Sequence, residues 1–249
     1  PVAETELDAH IELSTPIERL LNNQLGKPRD FGLRHTTLEH TASGEGFGLR
    51  GLLGPRTALL SHQLYVAASV GSRFAPRVLL ADEVGLGKTI EAGLILNQQL
   101  HRQRAQKVLV LVPETLTHQW LVEMQRRFHL AFSLLNAGRL EDGDAETEFA
   151  ENPLIIAPVS LLETDPLLQE IVCGIQWDMV VIDEAHHLTG IGQPRTGFGQ
   201  FIHDLAARTR GLLLLTATPE QAGLRSHFDR LQLIDPARFS DFDTFQTEH

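Results

Sequence analysis

The sequence has little of what an extracellular or membrane protein needs. It contains one cysteine, Cys173, in 249 residues, so an internal disulfide and a zinc site built from cysteines are both excluded. No apolar run approaches the roughly 20 residues that cross a bilayer, and the first residues lack the basic and then apolar pattern of a secretory signal. These absences predict a cytoplasmic protein with no membrane contact.

Basic residues are also scarce. Lysine and arginine number 21 against 32 acidic residues, which gives a net charge of −11. Such a chain cannot bind nucleic acid through its overall charge, so any nucleic-acid contact must use a local patch. A hydrophobic content of 42% is ordinary for a globular protein with a full core.

The chain divides by pattern into two parts. Residues 1–55 contain one clear helix signal, from Thr15 to Gly26, followed by a glycine-rich stretch at 43–54. We therefore expect a partly helical N-terminal accessory segment over 1–55 and a main domain over 56–249. The sequence lacks a starting methionine and a closing element at its end, so we expect it to be part of a longer protein.

The main domain alternates short apolar runs with helical stretches. The runs are continuous rather than alternating, which is typical of strands buried on both faces of a parallel sheet. This predicts a doubly wound α/β fold, with a mostly parallel sheet and helices on both faces. The predicted strands are 77–81, 107–112, 132–136, 153–157, 178–183 and 211–216.

Two stretches between these runs have distinct compositions. In the helix predicted around 114–129, apolar residues that include Trp120 recur every three or four positions. The stretch 141–151 holds six acids and no base, which predicts a solvated loop insertion.

The stretch ADEVGLGKTI at 81–90 is close to the phosphate-loop pattern G-x-x-x-x-G-K-[ST], with Asp82 in place of the first glycine. It lies between a predicted buried strand and a predicted helix, as such a loop requires. Backbone N–H groups near Gly87 would surround phosphate oxygens, Lys88 would reach the β- and γ-phosphates, and Thr89 would offer its hydroxyl to Mg²⁺. The alternative is a coincidental glycine-rich turn.

The stretch MVVIDEAHHL places two carboxylates at the end of a predicted buried strand. Asp183 and Glu184 would lie at the edge where parallel-sheet enzymes bind ligands. An aspartate there typically holds Mg²⁺, and the adjacent glutamate can polarise an attacking water. The alternative is a pair of capping acids.

A third motif, LLLLTATPE, places Thr216 and Thr218 after the last predicted strand. Such a hydroxyl-rich turn can hydrogen-bond the acidic motif and respond to the state of the nucleotide. The alternative is a plain strand-end turn.

Together, GLGKT at 85–89, DEAH at 183–186 and TATP at 216–219 resemble the first RecA-like lobe of a superfamily 2 helicase-type motor. DEVGLGKT, with its leading aspartate, resembles the phosphate loop of the Swi/Snf-type double-stranded DNA translocases. Within that branch, the stretches 75–93 and 226–239 resemble the bacterial RNA polymerase-associated ATPases. The resemblance covers 56–249 strongly and 10–55 more loosely.

This resemblance implies an ATP-hydrolysing enzyme that uses ATP and Mg²⁺. It implies that the partners are RNA polymerase and double-stranded DNA, with RNA or a hybrid as alternatives, in the bacterial cytosol or nucleoid. The implied catalytic residues are Lys88, Asp183 and Glu184, and the implied Mg²⁺ ligands are Thr89 and Asp183. The implied nucleotide-binding residues are Asp82, Glu83, Val84, Gly85, Leu86, Gly87, Lys88 and Thr89, with Gln63 at the adenine edge. The DEAH box is Asp183, Glu184, Ala185 and His186, and the nucleic-acid or coupling residues are Thr115, Thr117, Ser160, Thr216 and Thr218.

Some of these roles have plainer alternatives. By its pattern alone, Gln63 would be an exposed residue on a surface helix, and Thr115 and Thr117 could be ordinary helix caps. The second lobe, which carries arginine fingers in this superfamily, is expected to be missing, because about 30 residues follow the TATP motif. We therefore expect near-background hydrolysis from this chain alone. The rival functions are the lobe of a DEAH-type RNA helicase and a mainly non-catalytic docking module for RNA polymerase.

Overall fold

The computed structural model describes residues 16–22, 29, 32–37, 52, 54–58, 60–82, 85–136, 138, 145–185, 197–217 and 223–248. The chain forms two compact units, Pro1–Phe47 and Gly48–His249. In the smaller unit, Pro16–Leu21 is a short helix within the stretch where a helix is predicted, and residues 32–37 are also helical. In the described part of the chain, no helix is long and apolar enough to cross a membrane.

The larger unit is built on a six-stranded sheet in which all strand pairs are parallel. The strand order is β1-β6-β5-β2-β4-β3. The fold class predicted from the sequence is confirmed, and each strand matches its predicted run to within two residues at either end. The strands are β1 Arg77–Leu80, β2 Val108–Val112, β3 Ser133–Leu134, β4 Leu154–Pro158, β5 Met179–Ile182 and β6 Gly211–Leu215.

Helices cover both faces of the sheet. Alternate residues of the central strand β2 enter two separate apolar cores, Val110 on one face and Leu109 on the other. The helices of this unit are α1 Ser61–Gly71, α2 Lys88–His101, α3 Thr117–Phe128, α4 Ala145–Glu151, α5 Val159–Thr164, α6 Pro166–Gly174, α7 Phe198–Arg208, α8 Gly223–Ile234 and α9 Phe242–Glu248. Residues of α1, α2 and α3 line the first core, and residues of α4 to α8 line the second.

The prediction of a solvated loop over 141–151 is wrong for its second half. Residues 145–151 form α4, and the ring of Phe149 is buried in the second core. It meets the ring of Trp177 edge-on, with the centroids 6.0 Å apart. One aromatic side chain can bury about 150–250 Å², which is enough to anchor a short helix despite its acidic neighbours.

Gly93 is a point of close packing between α2 and α3. A Cβ at this position would lie 2.3 Å from Cε2 and 2.4 Å from Cζ of Phe128, which is a buried ring with no free end to move. Alanine should gain about 0.5–1 kcal/mol over glycine in a helix interior, whereas overpacking costs about 1–3 kcal/mol. We therefore expect Gly93→Ala to lower the free energy of unfolding by about 1–2 kcal/mol, measured by urea denaturation.

Gly174→Ala is the matched control for this prediction. It lies at the end of α6, and a Cβ there would meet nothing within 4 Å. This variant should be as stable as the wild type. Equal stability of both variants would show that the ring of Phe128 can move away from α2.

Candidate nucleotide-binding site

Three neighbouring strands bring the three sequence motifs to one edge of the sheet. Leu80 of β1 lies beside Leu215 of β6, and Ile182 of β5 lies beside Leu214. The segments after these strands therefore leave the sheet side by side at its carboxyl edge, where parallel-sheet proteins bind ligands.

The glycine-rich loop adopts the left-handed backbone that its glycines allow. Gly85 has φ 89° and Gly87 has φ 90°, and Gly87 is the residue from which α2 begins. No side chain caps the first turn of α2, and the N–H groups at the start of a helix carry a partial positive charge. Such a terminus favours an anion such as a phosphate. Glu83 and Val84 lie outside the described residues.

Gln63 contacts this loop from the first turn of α1. Its Nε2 donates to the carbonyl oxygen of Leu86 at 2.8 Å, and the side chain is buried. A Cβ on Gly87 would lie 2.4 Å from that same nitrogen. The interpretation of Gln63 as an exposed surface residue is therefore wrong, because its amide is packed against the loop backbone. Its contact with an adenine stays a prediction.

Lys88 is buried at the first position of α2. Its Nζ donates to the backbone carbonyl of Asp82 at 2.7 Å, so the ammonium group lies over the loop. The positive charge acts on two nearby carboxyl groups, since it lowers the pKa of Glu91 and of Asp183 against larger opposing effects. The lysine is thus the central cation of an otherwise acidic cluster.

Glu91 is a member of this cluster that the sequence motifs do not mark. It lies one helical turn after Lys88, and its side chain is fully buried. Burial raises the pKa of Glu91, and a hydrogen bond to Asp82 and the negative charge of Asp82 raise it further, to about 8. No N–H or hydroxyl of the described residues donates to its carboxylate oxygens, so the bond to Asp82 forms when one of the two carboxyl groups carries a proton. The protonated form is therefore the one that fits the fold.

This protonation makes stability depend on pH with a definite sign. Because the pKa of Glu91 is raised above its ordinary value of 4.5, the folded state binds the proton more tightly than the unfolded state, and stability falls as pH rises from about 4.5 to about 8. Glutamine keeps the shape of the protonated acid. We expect Glu91→Gln to match the wild type at pH 5 and to exceed it by about 2–4 kcal/mol at pH 9.

Urea denaturation across this pH range measures the effect. The control is Glu170→Gln, which removes an equal charge from an exposed position of α6. A stability difference between Glu91→Gln and the wild type that does not change with pH would contradict the prediction.

Asp183 follows β5 and is held from both sides. Its Oδ2 accepts a hydrogen bond from Nε1 of Trp120 at 2.7 Å, and its Oδ1 accepts one from the backbone N–H of Glu184 at 2.9 Å. Burial raises the pKa of Asp183, the two hydrogen bonds lower it, and the charge of Glu184 raises it.

Glu184 itself has φ 49°, an uncommon backbone for a residue with a side chain and one found often at functional sites. The next residue of the DEAH box, Ala185, is buried in the second core, and His186 lies outside the described residues.

A family model described as the SNF2-related domain matches residues 65–249. The chain belongs to the SNF2-related domain family.

Two relatives of this SNF2-related domain are RNA polymerase-associated proteins named RapA. The protein from Actinobacillus pleuropneumoniae serotype 3 is 49% identical over 98% of this chain, and the protein from Haemophilus influenzae is 48% identical over 99% of it. The chain spans about a quarter of the length of each, 26% and 27% respectively.

Solved structures show the same fold for the SNF2-related domain. The Sulfolobus solfataricus SWI2/SNF2 ATPase core in complex with double-stranded DNA aligns with a TM-score of 0.63 at 20% identity, over 78% of this chain and 39% of that one. The Pyrococcus furiosus Hef helicase domain aligns with a TM-score of 0.57 at 23% identity, over 74% and 37%.

The oxygen donors of the SNF2-related domain fit Mg²⁺ at this edge. Asp183 supplies a carboxylate after β5, and Thr89 supplies a half-buried hydroxyl in the first turn of α2. Among the described residues, no group of three or more histidine, cysteine or acidic side chains forms a metal cage. Mg²⁺ keeps several waters and binds through one or two carboxylates and substrate phosphates, so the carboxylate of Asp183 and the hydroxyl of Thr89 are donors of the kind it takes.

The predicted nucleic-acid residues occupy different environments along the same edge. Thr115 is exposed, whereas Thr117 is buried and its Oγ1 donates to the carbonyl of Glu114 at 2.7 Å. Ser160 is exposed, and its hydroxyl donates to Oε2 of Glu114 at 2.6 Å. Thr216 is fully buried after β6. Thr218 lies outside the described residues, and contact of any of these residues with nucleic acid stays a prediction.

Proposed function

We propose that this SNF2-related domain is the ATP-binding RecA-like lobe of an ATP-driven translocase on double-stranded nucleic acid. The observation that carries the proposal is the cluster at the carboxyl edge of the sheet. There the ammonium of Lys88, the uncapped start of α2 and the buried carboxylate of Asp183 surround one place. A cation and the N–H groups of a helix start attract phosphates, and a carboxylate beside them would hold the metal that accompanies the phosphates.

The roles of the residues follow from this geometry. Lys88 binds the β- and γ-phosphate oxygens, and the glycines of the loop let backbone N–H groups approach the same oxygens. Thr89 and Asp183 would hold Mg²⁺, which when bound would neutralise the charge that develops on the phosphate oxygens. Glu184, next to Asp183 at the end of β5, orients the attacking water and accepts its proton.

The partners are proposed from the relatives. Proteins 48–49% identical to this chain are RNA polymerase-associated, and one structural neighbour was solved with double-stranded DNA. We infer that the full protein acts on RNA polymerase and tracks along duplex DNA. Thr115 and Ser160, both exposed in the segments that follow β2 and β4, are the proposed backbone contacts. With a net charge of −11, such contacts must be local rather than due to the overall field.

Hydrolysis by this chain alone should be slow. In this superfamily an arginine finger comes from a second lobe, and such a finger is worth about 10³–10⁵ in rate. Binding depends on the loop and Lys88, which this chain supplies, and on Mg²⁺ from solution. The chain should therefore bind ATP measurably and turn it over near background, without stimulation by DNA.

Calorimetric titration and a phosphate-release assay test these expectations. ATP and ADP are titrated into the 249-residue chain with Mg²⁺ and again with a chelator, and phosphate release is followed with and without duplex DNA. Binding that strengthens with Mg²⁺ is the expected result. A chain that binds neither nucleotide at millimolar concentration overturns the proposed function, and robust DNA-stimulated turnover overturns the dependence on a second lobe.

A further inference from the structure

Trp120 makes a contact that its place in the apolar stripe of α3 does not explain. The side chain is 1% exposed, and its Nε1 donates to Oδ2 of Asp183 at 2.7 Å. An indole is a donor and never an acceptor, and a buried tryptophan usually satisfies that donor. Here the acceptor is the carboxylate proposed to hold Mg²⁺, rather than a backbone carbonyl.

The two donors fix the plane of this carboxylate. The N–H of Glu184 binds Oδ1 at 2.9 Å while the indole of Trp120 binds Oδ2. Rotation of the carboxylate about χ2 would break one of the two bonds, in a place where Asp183 is only 7% exposed and water cannot easily replace them. Each oxygen still has acceptor capacity, since an ionised carboxylate offers about four lone-pair sites.

We propose that Trp120 is a positioning residue that holds Asp183 in the orientation that binds Mg²⁺. This inference rests on the proposed function, because it assigns a purpose to the contact at the same site. Outer hydrogen-bond partners of a metal ligand typically change metal affinity by about 10–100-fold when they are removed. The indole of Trp120 is such a partner, supplied by a helix distant in sequence from Asp183.

Further hydrogen bonds lie at the start of the helix that carries Trp120. Thr117, one helical turn before Trp120, donates to the carbonyl of Glu114, and the carboxylate of Glu114 accepts from Ser160. Glu114, in the turn after β2, is thus hydrogen-bonded both to the start of α3 and to the start of α5.

Trp120→Phe and its matched control, Trp177→Phe, test the inference. Phenylalanine keeps most of the buried ring and removes the N–H. Trp177 is 2% exposed, and its Nε1 donates to the backbone carbonyl of Val172 at 3.0 Å, so the control loses the same kind of donor outside the site. The readout is ATP binding by calorimetry at increasing Mg²⁺. We expect the Mg²⁺ concentration that gives half of the maximal gain in ATP affinity to rise about 10–100-fold in Trp120→Phe. The affinity of this variant for ATP in the presence of a chelator should be unchanged. Trp177→Phe should behave as the wild type does.

A second readout leaves Trp120 in place. The chain has two tryptophans, so in Trp177→Phe the indole emission comes from Trp120 alone. Adding Mg²⁺ to the ATP complex should change this emission, whereas Mg²⁺ without nucleotide should change it little. This measurement remains decisive if Trp120→Phe fails to fold.

The outcomes separate the two proposals. If the wild type binds ATP in a Mg²⁺-dependent way but Trp120→Phe has the same Mg²⁺ dependence as Trp177→Phe, the positioning role is overturned and the proposed function stands. Unchanged emission of Trp120 on Mg²⁺ addition to that complex also overturns the positioning role. If the wild type binds ATP with no dependence on Mg²⁺, the positioning role falls, and if it binds no nucleotide at all, both proposals fall.

Discussion

Glu184→Gln should lower the rate of ATP hydrolysis by about 10²–10⁴-fold while ATP affinity changes little. Glutamine keeps the length and planarity of the side chain but cannot accept the proton of the attacking water. The backbone of Glu184, at φ 49°, sets the direction of the side chain, and the substitution leaves that backbone in place. Because turnover by this chain is expected to be slow, the rate is best measured as a single turnover, with protein in excess over ATP labelled at the γ-phosphate.

The control for this prediction is Glu163→Gln, an equal loss of charge at an exposed position of α5. It should hydrolyse ATP at the wild-type rate. Hydrolysis by Glu184→Gln at that same rate would show that another group polarises the water, and the role proposed for Glu184 would have to be given up.

Lys88→Ala should weaken ATP binding by about 10–100-fold, since a hydrogen bond to a charged group is worth about 1.5–3 kcal/mol. The lysine is the cation that the structure places over the phosphate loop, with Nζ 2.7 Å from the carbonyl of Asp82. The fold should survive, because removing one buried charge from α2 leaves the apolar contacts of that helix intact. Calorimetry gives the affinity, and circular dichroism confirms that the variant is folded.

Lys107→Ala is the corresponding control. This lysine directly precedes β2, at the opposite edge of the parallel sheet, so the variant has the same net charge as Lys88→Ala without touching the loop. ATP should bind it as it binds the wild type. Equal losses in both variants would mean that overall charge, rather than a specific contact, governs binding.

The sheet and its ligand edge could be predicted from the sequence because they depend on local patterns. A strand buried on both faces must be apolar at every position, and β2 and β6 satisfy that rule along their whole length. The phosphate loop and the paired acids follow such strands directly, so their place at the carboxyl edge follows from strand direction alone.

The contacts that refine the site could not be predicted in this way. Trp120 and Asp183 are 63 residues apart, and periodicity explains the tryptophan fully as an apolar residue of α3. The local pattern predicts a surface position for Gln63, because the backbone carbonyl that accepts its hydrogen bond lies 23 residues away in the sequence. Glu91 falls within the polar residues of an ordinary helix, yet it is buried. For Trp120, a usable signal did exist: a tryptophan on a buried stripe needs an acceptor for its N–H.

The strand order also has a consequence for how the protein is made. In the described sheet β1 lies at one edge, and its neighbour is β6, with Arg77 beside Leu212. A ribosome releases β1 first of the six strands and β6 last. At about 5–20 residues per second, the wait is on the order of 10 s. During that interval the nascent chain carries a phosphate loop whose supporting strand has no neighbour to pair with. We therefore expect the proposed site to bind nucleotide only after residues 211–215 have emerged. Nucleotide binding would then indicate that all six strands of the sheet have paired.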